Sequence, residues 1–280
     1  MKAYLNGKLI TDARIPADDY GLTYGYGLYE TMRAYHGRIF KEEEHISRLL
    51  RGAETLGISV GLNKEQLSAA LDSTLTENRL KDASLKIIVT YGKGPGGMRF
   101  TGKEKPNMII IASKIPDYSK RYENGIRVTV AENRRNNHSP ISRIKTLNCL
   151  DSALARKNAQ ERGYDDALLL NCDGNVAEGT TSNVFIVSGE QLITPPESAG
   201  ILNGITRETV MGIAGGLGLT ASEEDFKLER LLKSDECFQT SSVAEISPIV
   251  EVDGEKIGKG KLGKMTEAVH RQYRKLTEGI

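Results

Sequence analysis

The spacing of apolar residues along the chain predicts five amphipathic helices. In residues 41–56, Ile46, Leu49, Ala53 and Leu56 recur every three or four positions, which places them on one face of a helix. Asn63 is well placed to cap the start of the next helix. The same periodicity predicts helices over residues 63–80, about 148–161, 206–217 and 262–276.

Short runs of β-branched, aromatic and other apolar residues predict strands between these helices. Residues 28–35 alternate between apolar and polar positions and turn at His36-Gly37 into a second strand at 38–40. Asn6-Gly7, between residues 2–5 and 8–10, is a hairpin signal. Further strands are expected at residues 85–91, 107–113, 126–131, 166–170, 182–187, 236–240 and 248–252.

Three segments follow neither pattern. Residues 18–27 are rich in Gly and Tyr, and residues 92–106 contain GKGPGG, so both are expected to be loops. Residues 114–125 contain Pro116 and look like a linker. We therefore predict a two-domain α/β protein, with a small domain at 1–115, a linker at 116–122 and a larger domain at 123–280.

The composition narrows the class of protein. Lys and Arg number 38 against 37 Asp and Glu. The net charge of +1 thus gives no electrostatic argument for binding nucleic acid or an anionic membrane. No apolar run approaches the roughly 18 residues that span a bilayer, and residues 1–10 lack the apolar core of a signal peptide. We expect a globular, cytoplasmic protein.

The three cysteines offer no metal site or disulfide framework. Cys149, Cys172 and Cys237 are odd in number and lie far apart, which fits neither zinc-ligand spacing nor a set of paired thiols. We expect small buried thiols.

A lysine in the segment ISRIKTLNCLD (residues 141–151) is a candidate for covalent chemistry. Lys145 follows Ile144 and precedes Leu147, and apolar neighbours can keep its amine away from bulk water. Removal from water disfavours the ammonium form and lowers a lysine's pKa from about 10.4. A neutral amine can attack an aldehyde. The alternative is a lysine whose amine simply reaches the surface from the end of a strand.

Three blocks together resemble a known enzyme family. IKTLNCLDSALA, which contains Lys145, is followed by VAEGTTSNVF (residues 176–185) and by GILNGITRETV (residues 200–210). In this order and at these separations, the blocks resemble the class IV pyridoxal-phosphate enzymes of fold type IV. That family includes D-amino acid aminotransferases, branched-chain aminotransferases and aminodeoxychorismate lyases. The resemblance covers essentially the whole chain. It implies pyridoxal 5'-phosphate bound to Lys145, and a homodimer or larger oligomer with sites between domains at a subunit contact.

The resemblance also implies how the cofactor's phosphate is held. Gly204, Ile205 and Thr206 lie at a predicted helix start, where free N–H groups and the helix dipole favour an anion. Alone, this would be only a capped helix. The resemblance assigns phosphate contacts to Ile205 and Thr206, and a contact with the cofactor ring to Leu202.

Two more phosphate ligands follow from matching blocks. EHISRL (residues 44–49) resembles the block that carries the family's phosphate-binding arginine, which makes Arg48 that residue; otherwise Arg48 would belong to the solvated face of a helix. In relatives, a hydroxyl lies three residues before the Glu of an E-I-[ST]-P block. Here EISP (residues 245–248) places Ser242 there, with its hydroxyl retained.

Glu178 is the candidate partner of the cofactor's pyridine nitrogen. A pyridinium stays protonated only beside a carboxylate, and that proton makes the ring an electron sink. Glu178 matches the family's pyridine-pairing glutamate, although a surface glutamate beside a Gly turn is the alternative. Thr181, Ser182 and Asn183 complete the cofactor-binding block. Their sequence resembles D-amino acid aminotransferases and lyases more than branched-chain enzymes.

The match to the family is less complete for the residues that would bind the substrate. Tyr29 matches an aromatic residue that faces the cofactor in the family. D-amino acid aminotransferases commonly carry Arg-x-His in the loop after the strand at 85–91, but here that loop has Arg99 as its arginine and no histidine. Arg33, four residues after Tyr29, resembles an arginine of lyases and branched-chain enzymes. Arg33 and Arg99 are both candidates for the substrate carboxylate, because arginine donates two parallel hydrogen bonds.

These observations predict an aminotransferase that moves an amino group between an amino acid and a 2-oxo acid. Lys145 would also move the proton between the substrate Cα and C4′ of the cofactor. TSNVF and IKTLN favour D-amino acids, with branched-chain L-amino acids second, and EISP favours transamination. The alternative is an aminodeoxychorismate lyase, which GILNGITR and YETMR fit equally well. A non-enzymatic metabolite-binding protein is a third hypothesis, and the intact Lys145 and Glu178 argue against it.

Overall fold

The computed structural model describes residues 1–279. By its backbone contacts the chain divides into two units. The first comprises Met1–Pro116 together with Ile144–Asn148, and the second comprises Asp117–Arg143 and Cys149–Gly279. Residues 144–148, which the sequence placed in the larger domain, thus group with the N-terminal unit.

The first unit is an antiparallel sheet covered by two helices. Its six strands lie in the order β2-β1-β6-β5-β3-β4. In β3, Leu28, Met32 and Ala34 face the helices and are buried, while Tyr29 and Arg33 lie on the opposite face and are half-buried. The elements are β1 (Ala3–Leu5), β2 (Lys8–Ile10), α1 (Tyr20–Thr23), β3 (Gly27–Tyr35), β4 (Arg38–Ile39), α2 (Glu42–Thr55), α3 (Lys64–Glu77), β5 (Ala83–Thr90) and β6 (Met108–Lys114).

The two long helices form where the apolar periodicity predicts them. Ile46 and Leu49 of α2 pack with Leu67 and Leu71 of α3 in the core of the unit. Asn63 caps α3 as predicted: its side chain accepts from Gln66 N at 2.8 Å, and Gln66 Oε1 accepts from Asn63 N at 3.0 Å. This reciprocal pair satisfies two N–H groups at the helix start.

The second unit is built on a mixed sheet of nine strands. Its main path is β12-β11-β10-β13-β14-β7-β8-β9, and β15 pairs with β14. Turns of 3-10 helix lie at Pro140–Arg143, Glu197–Ala199 and Gly215–Leu217. The other elements are α4 (Ser119–Asn124), β7 (Ile126–Val130), α5 (Leu150–Glu161), β8 (Asp166–Leu170), β9 (Val176–Gly179), β10 (Asn183–Ser188), β11 (Gln191–Thr194), α6 (Ile205–Ala214), β12 (Thr220–Glu223), α7 (Leu228–Leu232), β13 (Glu236–Ser241), β14 (Glu245–Val252), β15 (Glu255–Lys256) and α8 (Lys264–Glu278).

One residue pair closes part of this sheet on itself. Asn183 of β10 pairs with Glu178 of β9, while β9 also pairs with β8. The strands β10, β13, β14, β7, β8 and β9 therefore form a ring. Its closure brings two residues of the block VAEGTTSNVF side by side.

The structure corrects several local expectations. The stretch predicted as a linker includes the start of α4, and the loop at 18–27 includes the single turn α1, which Asp19 caps by accepting from Gly21 N. In α5 the buried residues are Ala155 and Ala159. The leucines of that helix are largely exposed, Leu150 at 69% and Leu154 at 47%.

Two of the three cysteines also differ from expectation. Cys149 and Cys172 are exposed, and only Cys237 is buried. Burial raises the pKa of the Cys237 thiol and keeps it protonated. Among residues 1–279 no helix is long and apolar enough to cross a membrane. In the same residues no group of three or more His, Cys, Asp or Glu side chains could hold a metal ion.

Candidate active site

Lys145 is fixed to β3 through the backbone. Tyr29 N donates to Lys145 O at 2.9 Å, and Leu147 N donates to Gly27 O at 2.9 Å. A Cβ at Gly27 would collide with the Leu147 side chain, so the close approach needs a glycine. These bonds are the physical reason that residues 144–148 group with the first unit. The half-buried Lys145 has its Nζ 4.6 Å from the centroid of the Tyr29 ring.

Arg48 is held by a buried carboxylate on the same strand as Tyr29. Glu30 Oε1 accepts from Arg48 Nε at 2.7 Å, Oε2 accepts from Arg48 Nη2 at 2.8 Å, and His45 Nδ1 lies 2.8 Å from Oε2. Burial acts to raise the pKa of Glu30, but Arg48 and His45 outweigh it and hold the pKa at about 2. Burial lowers the pKa of His45, against the attraction of Glu30. Both hydrogen bonds to Glu30 come from the same edge of the Arg48 guanidinium, so Glu30 fixes the orientation of that group.

The two candidate arginines for a substrate carboxylate have different surroundings. Arg33 lies on the same face of β3 as Tyr29, with its guanidinium carbon 4.6 Å from the centroid of the Tyr35 ring. Arg99 is exposed and donates to backbone oxygens of its own loop, to Gly96 at 3.2 Å and to Pro95 at 3.3 Å. Sequence reasoning missed a third cation, Lys86 of β5, whose Nζ lies 4.9 Å from the centroid of the Tyr29 ring. The Tyr29 ring is thus within 5 Å of two lysine nitrogens.

The loop that carries Arg99 is anchored by aromatic rings. Phe100 packs on Tyr20, Tyr26 and Tyr91, with ring centroids 5.4–5.7 Å apart. Tyr20 also donates its hydroxyl to Arg99 O at 2.9 Å. The glycine-rich segment is therefore attached to its unit, and the tyrosines that the sequence flagged near residue 20 serve this packing.

In the second unit, two groups fix the carboxylate of Glu178. Leu202 N donates to its Oε2 at 3.2 Å, and Arg135 Nε lies 3.2 Å from its Oε1. Arg135 also donates to Gly200 O at 3.0 Å and to Ser142 O at 2.6 Å. Glu178 is 8% exposed, and the Arg135 guanidinium places a positive charge beside its carboxyl group. Arg135 was not among the predicted site residues, because nothing in its local pattern marks it.

Asn183 joins this carboxylate to the start of α6. Asn183 Nδ2 donates to Leu202 O at 2.8 Å, and a Cβ at Gly204 would collide with Asn183 Oδ1. The helix begins at Ile205 with no capping side chain, and Thr206 in its first turn is buried. The first N–H groups of a helix have no partner within it. This arrangement therefore presents donors and a positive dipole end to an anion.

The three hydroxyl groups between β9 and β10 have protein partners. Ser182 Oγ lies 2.9 Å from the amide of Gln239, and Arg156 donates to Thr181 at 3.3 Å and to Thr180 at 2.8 Å. These bonds stabilise the turn that carries Glu178 and Asn183. A cofactor contact for Thr181 and Ser182 stays a prediction.

Ser242 lies in the three-residue connection between β13 and β14, which the pair Ser241–Glu245 closes. Two residues earlier in the chain, Thr240 pairs with Asn183, so their side chains point to the same face of the sheet. The buried Thr240 hydroxyl has no hydrogen-bond partner within the described residues. An additional polar group could satisfy it, which adds Thr240 to the candidates.

Comparison with known proteins defines the class. The family model for class IV amino-transferases matches residues 27–252. A putative branched-chain-amino-acid aminotransferase of Methanocaldococcus jannaschii is 39% identical over 277 residues, covering 98% of this chain and 96% of the relative. A D-alanine aminotransferase of Bacillus licheniformis is 33% identical over 271 residues, covering 96% and 94%.

Solved structures agree with the sequence relatives. The branched-chain amino acid aminotransferase of Escherichia coli superposes with a TM-score of 0.95 at 28% identity, covering 99% of this chain and 94% of that one. The branched-chain aminotransferase of Thermoproteus uzoniensis, solved with norvaline, gives a TM-score of 0.92 at 34% identity, covering 100% and 95%. The chain belongs to the class IV aminotransferases, with the fold type IV architecture that the sequence predicted.

Enzymes of this class depend on pyridoxal 5'-phosphate, and the donor set of the chain fits that cofactor. The first unit supplies a lysine amine beside an aromatic ring and a fixed arginine. The second supplies a buried carboxylate, an uncapped helix start and the orphaned Thr240 hydroxyl. These groups match an aldehyde, a phosphate and a pyridine nitrogen.

Proposed function

We propose that the chain transfers the amino group of a branched-chain L-amino acid to a 2-oxo acid. The observation that carries the proposal is Lys145, pinned by backbone bonds beside Tyr29 in a chain of this family. The Methanocaldococcus relative carries a branched-chain name, and the Arg-x-His of D-amino acid enzymes is missing from residues 92–106. The name of that relative, together with the missing motif, leads us to place branched-chain L-amino acids before the D-amino acids that the sequence alone favoured.

D-Amino acids remain the second candidate substrate. The block from Thr181 to Asn183 resembles D-amino acid enzymes, and the Bacillus relative is named a D-alanine aminotransferase. The lyase is the remaining alternative, since its blocks resemble those of this chain equally well.

Four residues would hold the phosphate of the cofactor. Arg48, oriented by Glu30, supplies the cation, and the N–H groups of Ile205 and Thr206 supply donors at the positive end of α6. Ser242 adds a hydroxyl from the β13–β14 connection. Backbone donors and a guanidinium together suit a dianion, because charge-assisted hydrogen bonds are the strong ones.

Two other residues would face the pyridine ring. Glu178, ionised beside Arg135, keeps a proton on the ring nitrogen. Leu202 lies against the ring, and its backbone is fixed by Glu178 on the N–H side and by Asn183 on the carbonyl side. With its nitrogen protonated, the bound cofactor supplies an electron sink for the charge that develops at the substrate Cα.

Lys145 has two tasks in this proposal. Its amine would hold the cofactor covalently, and the same Nζ would serve as the general acid–base for the proton at the substrate Cα. The backbone bonds to Tyr29 and Gly27 hold the segment in register with β3.

A substrate carboxylate would bind on the Tyr29 face of the first unit. Lys86 and Arg33 both extend from that face, and Lys86 shares the Tyr29 ring with Lys145. The distance between the two lysine nitrogens is therefore at most the sum of their distances to the ring centroid. A dicarboxylic 2-oxo acid can reach across that distance. Arg99 is the weaker candidate, because its guanidinium is engaged with its own loop.

We also propose that the enzyme is a homodimer or larger.

Half-reactions test the proposed function. The holoenzyme is mixed separately with L-leucine, D-alanine, L-glutamate and aminodeoxychorismate, and loss of its visible absorption band and release of pyruvate are followed. We expect the band to be lost with L-leucine and L-glutamate. Loss with D-alanine alone would support the D-amino acid candidate, and pyruvate released only from aminodeoxychorismate would identify a lyase.

A further inference from the structure

Glu245 lies in an unusual position at the end of the Ser242 connection. The residue has φ 51°, in the left-handed region, where a side chain is disfavoured and glycine is the common choice. It is nevertheless a glutamate and is 1% exposed. A buried charge on a disfavoured backbone persists only where its surroundings compensate it.

The compensation comes from α8. His270 Nε2 lies 2.7 Å from Glu245 Oε2, and Arg274 Nε donates to the same oxygen at 3.0 Å. The Tyr122 ring packs edge-on against His270, with centroids 4.6 Å apart, and Arg274 lies 5.0 Å above that ring. Burial acts to lower the pKa of Arg274, but the Glu245 charge outweighs it and the pKa is raised. The carboxylate is thus paired from two successive turns of one helix.

The same helix is attached to the other end of the hairpin. Glu236 of β13 caps the start of α8, accepting from Met265 N at 3.0 Å and from Thr266 N at 2.7 Å. Val269 and Tyr273 on the inner face of α8 are fully buried. Because Glu236 and Glu245 lie at the two ends of the β13–β14 hairpin, α8 fixes both its base and its tip.

We propose that Glu245 is a positioning residue, which anchors the Ser242 connection to α8 through His270 and Arg274 and so sets the affinity for the cofactor's phosphate. The inference rests on the proposed function, in which Ser242 contacts that phosphate. Hydrogen bonds to a charged group are strong, and they weaken steeply when their geometry is distorted. A loosened connection should therefore weaken cofactor binding without removing any group that touches the cofactor.

The test measures the dissociation constant of pyridoxal 5'-phosphate from each variant, with inorganic phosphate as a competitor of the empty protein, and the unfolding midpoint. Glu245→Gly removes the anchor but suits the left-handed backbone, so it should fold. The double variant His270→Ala with Arg274→Ala removes the anchor from the other side. Arg271→Ala, an exposed arginine beside His270 on α8, is the matched control.

We expect both anchor variants to raise the dissociation constants for cofactor and phosphate about ten-fold or more relative to the control, which is the effect of losing one hydrogen bond to a charged group. Glu245→Gly should retain the unfolding midpoint of the control within a few degrees. Should Glu245→Gly bind cofactor as tightly as the control, the anchor is unnecessary and the inference is overturned. The variant Ser242→Ala distinguishes failure of the Glu245 anchor from failure of the proposed Ser242–phosphate contact. If Ser242→Ala weakens binding while Glu245→Gly does not, only this inference fails. If Ser242→Ala has no effect, the proposed role of the connection fails with it.

Discussion

Nε of Arg135 lies 3.2 Å from Oε1 of Glu178. The same guanidinium donates to Ser142 O and Gly200 O, so it joins the carboxylate to two backbone segments distant from it in sequence. Glu178 is almost fully buried and Arg135 only partly exposed. An ion pair of this kind fixes both orientation and ionisation, because either partner alone would be an uncompensated charge in a site shielded from water.

We expect Arg135→Gln to lower catalytic efficiency about ten-fold or more, since the Glu178 carboxylate would then lose a charged partner. Arg134→Gln, an exposed neighbour, is the matched control. Steady-state kinetics of the two variants, with Glu178→Gln as the reference for complete loss of the charge, provide the measurement. Equal rates in the Arg135 and Arg134 variants would show that the pair has no part in turnover.

Lys145→Ala should abolish turnover and remove the visible absorption band of the bound cofactor. Removing the amine eliminates both the attachment and the proton carrier. Borohydride reduction of the wild type, followed by peptide mapping, identifies the attached residue independently of activity. A pyridoxyl group on Lys86, the other lysine beside Tyr29, would reassign the attachment.

A comparison of Lys86→Met, Arg33→Met and Arg99→Ala identifies the residue that binds the substrate carboxylate. Loss of a charge-assisted bond to a buried carboxylate costs roughly 2–5 kcal/mol, or about thirty-fold or more in catalytic efficiency. We expect Lys86→Met to raise KM for 2-oxoglutarate more than for a monocarboxylic 2-oxo acid, and Arg99→Ala to change little. A large effect in Arg99→Ala alone would mean that its loop rearranges when substrate binds.

The Glu30 cluster should make the fold sensitive to acid. With a pKa of about 2 when folded against an ordinary 4.5, Glu30 stabilises the fold above pH 4.5 by about 3 kcal/mol, and this contribution is lost as pH falls towards 2. The pKa of His45 is lowered from 6.5 in the folded state, so the free energy of unfolding also decreases as the pH falls below 6.5. Glu30→Gln should flatten the dependence of unfolding free energy on pH between about 5 and 2. An unchanged slope in urea unfolding at several pH values would contradict the pairing.

If the enzyme is a homodimer as proposed, the exposed leucines of α5 are the candidate contact between its two copies. Leu150 and Leu154 lie one turn apart and expose 69% and 47% of their surface, and apolar patches of this kind often mark interfaces. Leu150→Ser with Leu154→Ser should lower the mass measured by light scattering from dimer towards monomer. Lys157→Ser on the same helix is the control, and an unchanged mass in the leucine variant would place the contact elsewhere.

The local pattern of the sequence determined much of the first unit. The alternation in residues 28–35 and the helical periodicity in 41–56 and 63–80 predicted β3, α2 and α3, because one face of each is buried in the same core. The capping pair of Asn63 and Gln66 is local and was likewise predictable in part. The three sequence blocks identified the family, which the comparisons confirm. Each of these signals lies within a short stretch of the sequence.

Tertiary structure alone decided which distant residues meet. The hydrogen bonds of Lys145 to β3 join positions more than a hundred residues apart, and no periodicity near Lys145 encodes them. Lys86 looked like one polar position in an apolar strand until pairing placed it beside Tyr29. Arg135 lay in a polar connection, and the closure of the sheet at Glu178 and Asn183 gave it a buried carboxylate. The sequence determines which side chains carry a charge, whereas the packing of the whole fold determines which groups those charges pair with.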